Sequence, residues 1–257
     1  MISHPAIPVL MYHAVVSPDA PPVAGREEGA WFYDLPVERF QSHMALLRQQ
    51  GYRILKAGEQ HSSHKKGVIL TFDDGEMNNF TLAVPILKSF GFQAYFFVTP
   101  ERVGRPDYMD WPQLRALLND GMVVGSHGLT HAVLPVMNDR DLRRELEEAK
   151  RILEERLIVT VDTFSVPRGF YDDRVVKFAG EAGYRHIFVS DVDPRRPDHV
   201  IGRIAVKASW SASRLGLALA GQTPLGEKIG AVLKNSVKRC VSPDLYNRLR
   251  QFLLGKK

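Results

Sequence analysis

Residues 68–75 read Val68-Ile69-Leu70-Thr71-Phe72-Asp73-Asp74-Gly75, a run of apolar and β-branched residues that stops on two carboxylates and a glycine. A half-solvated strand would alternate apolar with polar residues. This one does not, which predicts a strand covered on both faces. The aspartates then stand where the buried strand ends, and Asp-Gly marks the turn that follows.

Outward from this stretch, comparable short apolar runs lie at 7–11, 94–98, 122–125, 161–165, 186–189 and 200–206. Helical periodicity fills the intervals at 37–50, 80–90, 112–119, 141–156 and 174–182. Asp110 before Trp111-Pro112 opens one helix, while Gly51, Gly91, Gly121 and Gly183 follow the ends of others. Strands that alternate with helices build parallel βα units. About seven such strands, several apolar throughout, predict an α/β fold whose sheet closes, or nearly closes, into a barrel. An open doubly wound sheet is the alternative.

The chain has 257 residues, 44% of them hydrophobic and 25% charged, which is the composition of an ordinary globular protein. Cys240 is the single cysteine, so no internal disulfide framework is expected. The opening MISHPAIPVLMYHAVV lacks the basic start and unbroken apolar stretch of a secretory signal, and no run is long and apolar enough to span a bilayer. A cytoplasmic location is the expectation. The net charge of +5 is uneven: residues 207–257 carry ten Lys and Arg against Glu227 and Asp244, an excess of eight, which leaves residues 1–206 at −3. The basic character belongs to the tail, and a nucleic-acid-binding core is not expected.

A second motif follows another apolar strand: Val123-Val124-Gly125-Ser126-His127-Gly128-Leu129-Thr130-His131. An isolated Asp-Asp-Gly is usually a turn, and a lone pair of histidines is usually incidental. Here both pairs stand at C-terminal strand ends, where barrel and open-sheet active sites form, and the coincidence favours a site. Adjacent aspartates at a strand end face different directions, so one can bind a metal while the other reaches a water. One carboxylate and two imidazoles make a facial metal site with open positions. Zn²⁺ suits it, and Co²⁺, Ni²⁺, Fe²⁺ and Mn²⁺ share the donor types. Such an ion polarises a carbonyl and acidifies bound water, the spare carboxylate takes the proton, and an acid is still needed for the leaving group.

Thr71-Phe72-Asp73-Asp74-Gly75 and Ser126-His127-Gly128-Leu129-Thr130-His131 closely resemble the first two motifs of the polysaccharide deacetylases, the NodB-homology esterases of carbohydrate esterase family 4. The resemblance runs from about residue 7 to residue 206. It implies a distorted (β/α) barrel and hydrolysis of N-acetyl groups on amino sugars. By position it implies Asp73 as general base and Asp74, His127 and His131 as metal ligands. The family's third motif usually reads Arg-x-Pro-x-Gly, and the matching stretch is Ser165-Val166-Pro167-Arg168-Gly169. Ser165 thus stands where an arginine normally orients the base. The turn with Pro167 remains, the backbone N–H of Arg168 is the expected oxyanion donor, and its side chain is the nearest replacement for the lost charge.

The family's late Leu-x-x-His acid has one candidate here, His199, which precedes its strand and so lies at the wrong end. Pro8-Val9-Leu10-Met11-Tyr12-His13 instead resembles the circularly permuted subgroup that deacetylates poly-N-acetylglucosamine. His13 ends an apolar strand, as the acid must, and is preferred over a buried structural role. Tyr12 and Pro167 are expected beside the substrate. Of the tryptophans, Trp210 is the expected sugar contact, whereas Trp111 is read as packing at a helix start. Asp191 and Asp193 are read as loop residues near the mouth.

The segment from Ser17 to Phe32 is expected to form an irregular rim loop with Arg26, Glu27 and Glu28 solvated, and 139–156 a helix with a solvated charged face. Residues 1–210 are expected to form the catalytic domain and 211–257 a basic helical extension. In that extension Ile229, Val232, Leu233, Val237 and Cys240 share one face, and a second helix carries Leu245, Leu249, Phe252 and Leu253. Two readings stay open: a cap packed on the barrel, which is preferred, and a peripheral contact with the inner face of an anionic membrane.

The leading functional expectation is metal-dependent N-deacetylation of an amino-sugar glycan or glycan precursor. Hydrolysis of another small amide and a non-catalytic carbohydrate-binding module are the alternatives, the latter supported by Ser165.

Overall fold

A computed structural model of the chain describes residues 7–19, 26, 29–59, 66–191 and 196–222. Its main strands are β1 (Val9–Tyr12), β2 (Gly67–Phe72), β3 (Tyr95–Val98), β4 (Val123–Ser126), β5 (Thr163–Ser165), β6 (His186–Val189), β7 (Val200–Gly202) and β8 (Ile204–Ala205). Every pairing among them is parallel. The order across the sheet is β7-β6-β5-β4-β3-β2-β1-β8. The two ends of that order are the two halves of one extended stretch: Ile201 lies opposite Phe188 on β6, and Ile204 lies opposite Leu10 on β1. The run expected as a single strand over 200–206 is therefore broken at Arg203, and by bridging both edges it closes the sheet into a barrel. Counted once, it makes the expected seven strands.

Glycines allow two close approaches that this closure needs. A Cβ on Gly202 would run into the carbonyl oxygen of Asp191, and one on Gly125 would lie 2.6 Å from the Phe97 ring inside the barrel.

Around the barrel lie α1 (Val37–Gln49), α2 (Val84–Phe90), α3 (Trp111–Asn119), α4 (Asp139–Leu157), α5 (Asp173–Glu181) and α6 (Ala212–Leu219). The expected opening of α3 is a full capping box: Asp110 accepts from the Gln113 amide while the Gln113 side chain accepts from the Asp110 amide. Asn138 and Asp172 cap α4 and α5 from one side only, accepting from the Asp141 and Val175 amides. α2 is entered through a π-helical turn, Asn79–Ala83, shortly beyond the turn that follows the two aspartates.

The uniformly apolar strands bury two different surfaces. Outward residues such as Leu10, Leu70, Phe72, Phe96 and Phe164 pack under the helices. Inward residues Val9, Ile69, Tyr95, Phe97, Phe188 and Ile201 form a separate plug inside the lower barrel. Each such side chain contributes roughly 1.5–3 kcal/mol by leaving water. Further up the same inward rows the residues turn polar, at Thr71, Asp73, Ser165 and Arg203, all buried. The plug is thus the floor on which the polar site rests.

α6 packs on α1 and buries Leu215. The expected amphipathic helices at 229–240 and 242–253, and with them the membrane and cap readings of the tail, lie outside the described residues. Among the described residues no helix is long and apolar enough to cross a membrane.

Candidate active site

Each candidate residue is fixed by a backbone ladder that continues past its strand. The Asp73 amide donates to the Tyr12 carbonyl at 3.0 Å, the His127 amide to the Val98 carbonyl at 2.8 Å, and the Arg203 amide to the Val189 carbonyl at 3.0 Å. Their side chains leave the rim with little freedom. The turns beyond are strained: Asp74, His131 and Arg168 take positive φ of 75°, 66° and 58° without being glycine. Strain of this kind costs of order 1–3 kcal/mol per residue and clusters at sites that must aim a side chain.

Asp74, His127 and His131 bring one donor atom each within 4.8 Å of one another. Asp74 Oδ1 lies 3.1 Å from His131 Nε2 and 3.8 Å from His127 Nε2. Bonds of about 2.0–2.1 Å in a tetrahedral arrangement would set such donors roughly 3.4 Å apart, so the three residues fit a divalent metal with small adjustments. His127 Nδ1 is 2.8 Å from the Ser165 carbonyl, the outer bond that leaves Nε2 facing the other donors. Burial, partly offset by Asp73, lowers the His127 pKa to about 4, which keeps it neutral as a ligand must be. Burial alone would raise Asp74, but His131, His127 and His13 hold it well below the usual carboxylate range.

Asp73 stands beside this group, its Oδ2 4.0 Å from His127 Nε2. The arginine expected at position 165 is absent, and the charge comes instead from Arg203. Its Nη1 and Nη2 donate to Asp73 Oδ1 and Oδ2 at 2.7 and 2.8 Å, a bidentate pair. Ser165 Oγ accepts from Arg203 Nη2 at 2.8 Å and donates to Asp73, and Thr71 Oγ1 accepts from Nη1 at 3.1 Å. The guanidinium rests above the plug, 5.6 and 5.9 Å from the Phe97 and Phe188 ring centroids. Against the upward push of burial, Arg203 first and then His127 hold the Asp73 carboxyl below its ordinary value. The expectation that the Arg168 side chain replaces the lost charge is therefore corrected. Arg203 was legible in one respect: it is the lone charge in the apolar run 200–206, and a buried cation needs an anion.

His13 follows β1, its ring stacked on Tyr33 at 4.8 Å between centroids and its carbonyl held by Asn79 Nδ2 at 2.7 Å. Burial lowers its pKa against the opposing pull of Asp73 and Asp74. Arg168 takes its left-handed conformation in the turn Pro167–Gly169, directly beyond β5.

Several residues around the site escaped sequence reasoning. Glu145, on the helix read as a solvated face, is 3% exposed and accepts from the Thr130 amide at 2.7 Å and from its hydroxyl. It clamps the loop between the two histidines. Its signal was positional, because it shares the inward face of α4 with Leu142, Leu146 and Ala149. Arg102 Nη1 lies 3.2 Å from Asp74 Oδ1. Arg26, expected in solvent, instead pairs with Asp34 at 2.6 Å and with Glu76 at 2.7 Å. Burial pushes the Glu76 carboxyl up to about 7, against the pull of Arg26.

Other expectations are corrected by burial. Tyr12 packs against Phe40 and Phe72 with its hydroxyl 3.4 Å from His43 Nδ1, so it is a core residue and not a substrate contact. Trp210 is 5% exposed, covered by Arg214, and its carbonyl accepts from His43 at 3.1 Å; it has no open face for a sugar. The exposed indole is Trp31, at 59%. Pro167 is buried and packs toward Gly128. Asp191 accepts from the Tyr171 hydroxyl at 3.0 Å and pairs with Arg196, beyond β6 as expected for a mouth residue, whereas Asp193 lies outside the described residues. His199 precedes β7 at the opposite end of the barrel.

Residues 60–187 match the polysaccharide deacetylase family. YxkH of Bacillus subtilis is 24% identical over 220 residues, which cover 82% of this chain and 75% of that protein. A peptidoglycan-N-acetylglucosamine deacetylase of Bacillus cereus is 30% identical over 135 residues, 52% of this chain and 61% of its own length. The Streptococcus pyogenes deacetylase PplD, solved in complex with acetate, superposes with a TM-score of 0.73 at 22% identity, over 86% of this chain and 100% of that one. Motif, barrel and matched residues agree: residues 60–187 carry a polysaccharide deacetylase domain.

Proposed function

We propose that the protein hydrolyses N-acetyl groups from amino sugars of a glycan or glycan precursor. One observation carries this reading. A buried carboxylate, Asp73, is held ionised by Arg203 and Ser165 beside three residues that fit a divalent metal. The curated Bacillus cereus relative is named for removing acetyl groups from peptidoglycan N-acetylglucosamine, which supports the same chemistry here.

Asp74, His127 and His131 would hold the metal, with Zn²⁺ favoured by the donor set. Bound there, a divalent metal supplies Lewis acidity toward the acetyl carbonyl and lowers the pKa of a coordinated water. Asp73 takes the proton from the attacking water, and Arg203 keeps its two oxygens oriented for that transfer. The Arg168 backbone N–H donates to the developing oxyanion. His13 protonates the departing amine, the role that the permuted subgroup would assign to this position. The reading as a binding module without turnover loses its support, since the charge missing at Ser165 is made good by Arg203.

The test is acetate release from N-acetyl and O-acetyl sugars by metal-supplemented protein, with Asp73→Asn as control. Release that depends on Asp73 is expected. Acetate release undiminished in Asp73→Asn would remove this mechanism.

A further inference from the structure

His13 has the role of acid in the reading above, yet its ring lacks the support that aims the other imidazoles of such sites. The residue is half-buried, and its Nδ1 is closed off from solvent without a hydrogen-bond partner among the described residues. An imidazole that works through Nε2 is commonly oriented by a bond from Nδ1 to a carboxylate or carbonyl. His127 has that bond, with the Ser165 carbonyl 2.8 Å from its Nδ1. For His13 only the backbone is held in this way: Asn79 Nδ2 donates to its carbonyl at 2.7 Å, which leaves the side-chain torsions open.

What meets the ring is Tyr33. The two rings stack with centroids 4.8 Å apart and planes 27° from parallel, the one aromatic contact of His13 among the described residues. That spacing lies in the favoured range for offset aromatic pairs, where each ring restrains the tilt of the other.

Tyr33 is itself placed by main-chain bonds. Gly29 enters the 3-10 turn Ala30–Tyr33 at φ 78°, a conformation open to glycine without strain. The Asp34 amide closes the turn on the Trp31 carbonyl at 3.2 Å, and the Ala208 amide donates to the Phe32 carbonyl at 2.7 Å. Directly beyond, the Leu35 amide donates to the Ala14 carbonyl at 3.0 Å, and Val15–Val16 pairs in parallel with Leu35–Pro36. The residue after His13 is thus bonded to the residue two beyond Tyr33. The backbones that carry the two rings are in register with each other, so their stacking does not depend on the side chains alone.

We propose that Tyr33 is the positioning residue of His13, its ring face fixing the imidazole's orientation in place of a hydrogen bond at Nδ1. This rests on His13 acting as the acid in N-deacetylation and deepens that reading. With Nδ1 closed off, Nε2 is the nitrogen left to carry the proton. A stack fixes the plane of the ring and bonds to neither nitrogen, so Nε2 stays free to give that proton up.

The experiment is a double-mutant cycle on metal-loaded protein, read by acetate release from tri-N-acetylchitotriose. Tyr33→Leu keeps apolar bulk and removes the ring face. It should lower kcat by about 10- to 100-fold, the scale for a misaligned catalytic group, with KM near the wild-type value. Tyr33→Phe restores the face and should bring kcat back to within about 2-fold of wild type. In a His13→Ala background no imidazole remains to be aimed, and there Tyr33→Leu should change kcat by less than about 2-fold. An equal loss in both backgrounds, or a loss that follows only a lowered melting temperature, would make Tyr33 a structural rim residue and overturn the proposal. NMR relaxation of the His13 ring gives a second readout that needs no turnover. A ring ordered in wild type and Tyr33→Phe but averaged in Tyr33→Leu would keep the orienting stack. If His13→Ala then leaves acetate release untouched, or wild type releases none, only the acid role falls. A ring equally ordered in all three proteins would overturn the proposal whatever the kinetics.

Discussion

Replacing Arg203 with methionine tests the electrostatic centre of the site. Arg203 is 2% exposed and gives Asp73 two hydrogen bonds of 2.7 and 2.8 Å. Methionine keeps an unbranched stem that can lie over Phe97 and Phe188, so packing changes little and the lost charge dominates. Removing one partner of a buried pair strands the other, at about 3–5 kcal/mol. For a chain of this size that is a fall in Tm of roughly 6–20 °C. Asp73 can escape part of the cost by taking up a proton. Without the guanidinium, burial is the dominant influence left on its carboxyl and pushes it up.

The sign follows from linkage. In wild type the folded pKa of Asp73 lies below the unfolded value, so the pair stabilises above that unfolded value and the stabilisation is lost as pH falls through the folded pKa. In Arg203→Met the folded pKa lies above the unfolded one, so the variant loses stability as pH rises. The gap in Tm should therefore widen from acid to neutral pH. The assay pairs thermal melts across pH with a pH profile of kcat/KM for acetate release, whose acid limb should move to higher pH. Adding Ser165→Arg to Arg203→Met restores a guanidinium from the tip of β5, whose Ser165 already touches Asp73, and should recover part of both losses. A variant that melts within about 2 °C of wild type at neutral pH, with its acid limb unmoved, would refute the assignment of Arg203 as the partner of Asp73.

His13→Ala should lower kcat by roughly 10²- to 10⁴-fold while metal content by mass spectrometry stays at the wild-type level. Because burial holds His13 below 6.5, the protonated acid is lost as pH rises through a value under 6.5. The basic limb of the wild-type profile should lie there, and its persistence in His13→Ala would exclude His13 as the acid. Glu145→Ala frees the Thr130 amide and hydroxyl, and metal affinity measured by chelator competition should weaken about 10- to 100-fold; an unchanged Kd would show that the loop needs no clamp. Trp210→Ala should cost about 3–5 kcal/mol in denaturant unfolding as a buried aromatic, with KM for the sugar unmoved. A raised KM in a fully stable variant would return Trp210 to the substrate.

The strand that ends in Asp73 and Asp74 was legible because burial on both faces leaves a local mark, an apolar run with no alternation. The same holds for the seven strands, for the helix opening at Asp110, and for the spacing of His127 and His131 at a strand tip. These properties depend on neighbours within one element, and the chain order carries them. Arg203 was not legible as the partner of Asp73, because the contact joins residues 130 positions apart and exists only once Val200–Gly202 and Ile204–Ala205 pair with opposite edges of the sheet. Glu145 and Arg26 were misread for a related reason: a charge on a helix or rim loop looks solvated until a second segment is laid against it. Sequence alone therefore determined the barrel and the identity of the metal-type donors. Which cation orients the base, what clamps the histidine loop, and which tryptophan faces solvent were decided by closure of the barrel, since each is a contact between elements that local propensity does not encode.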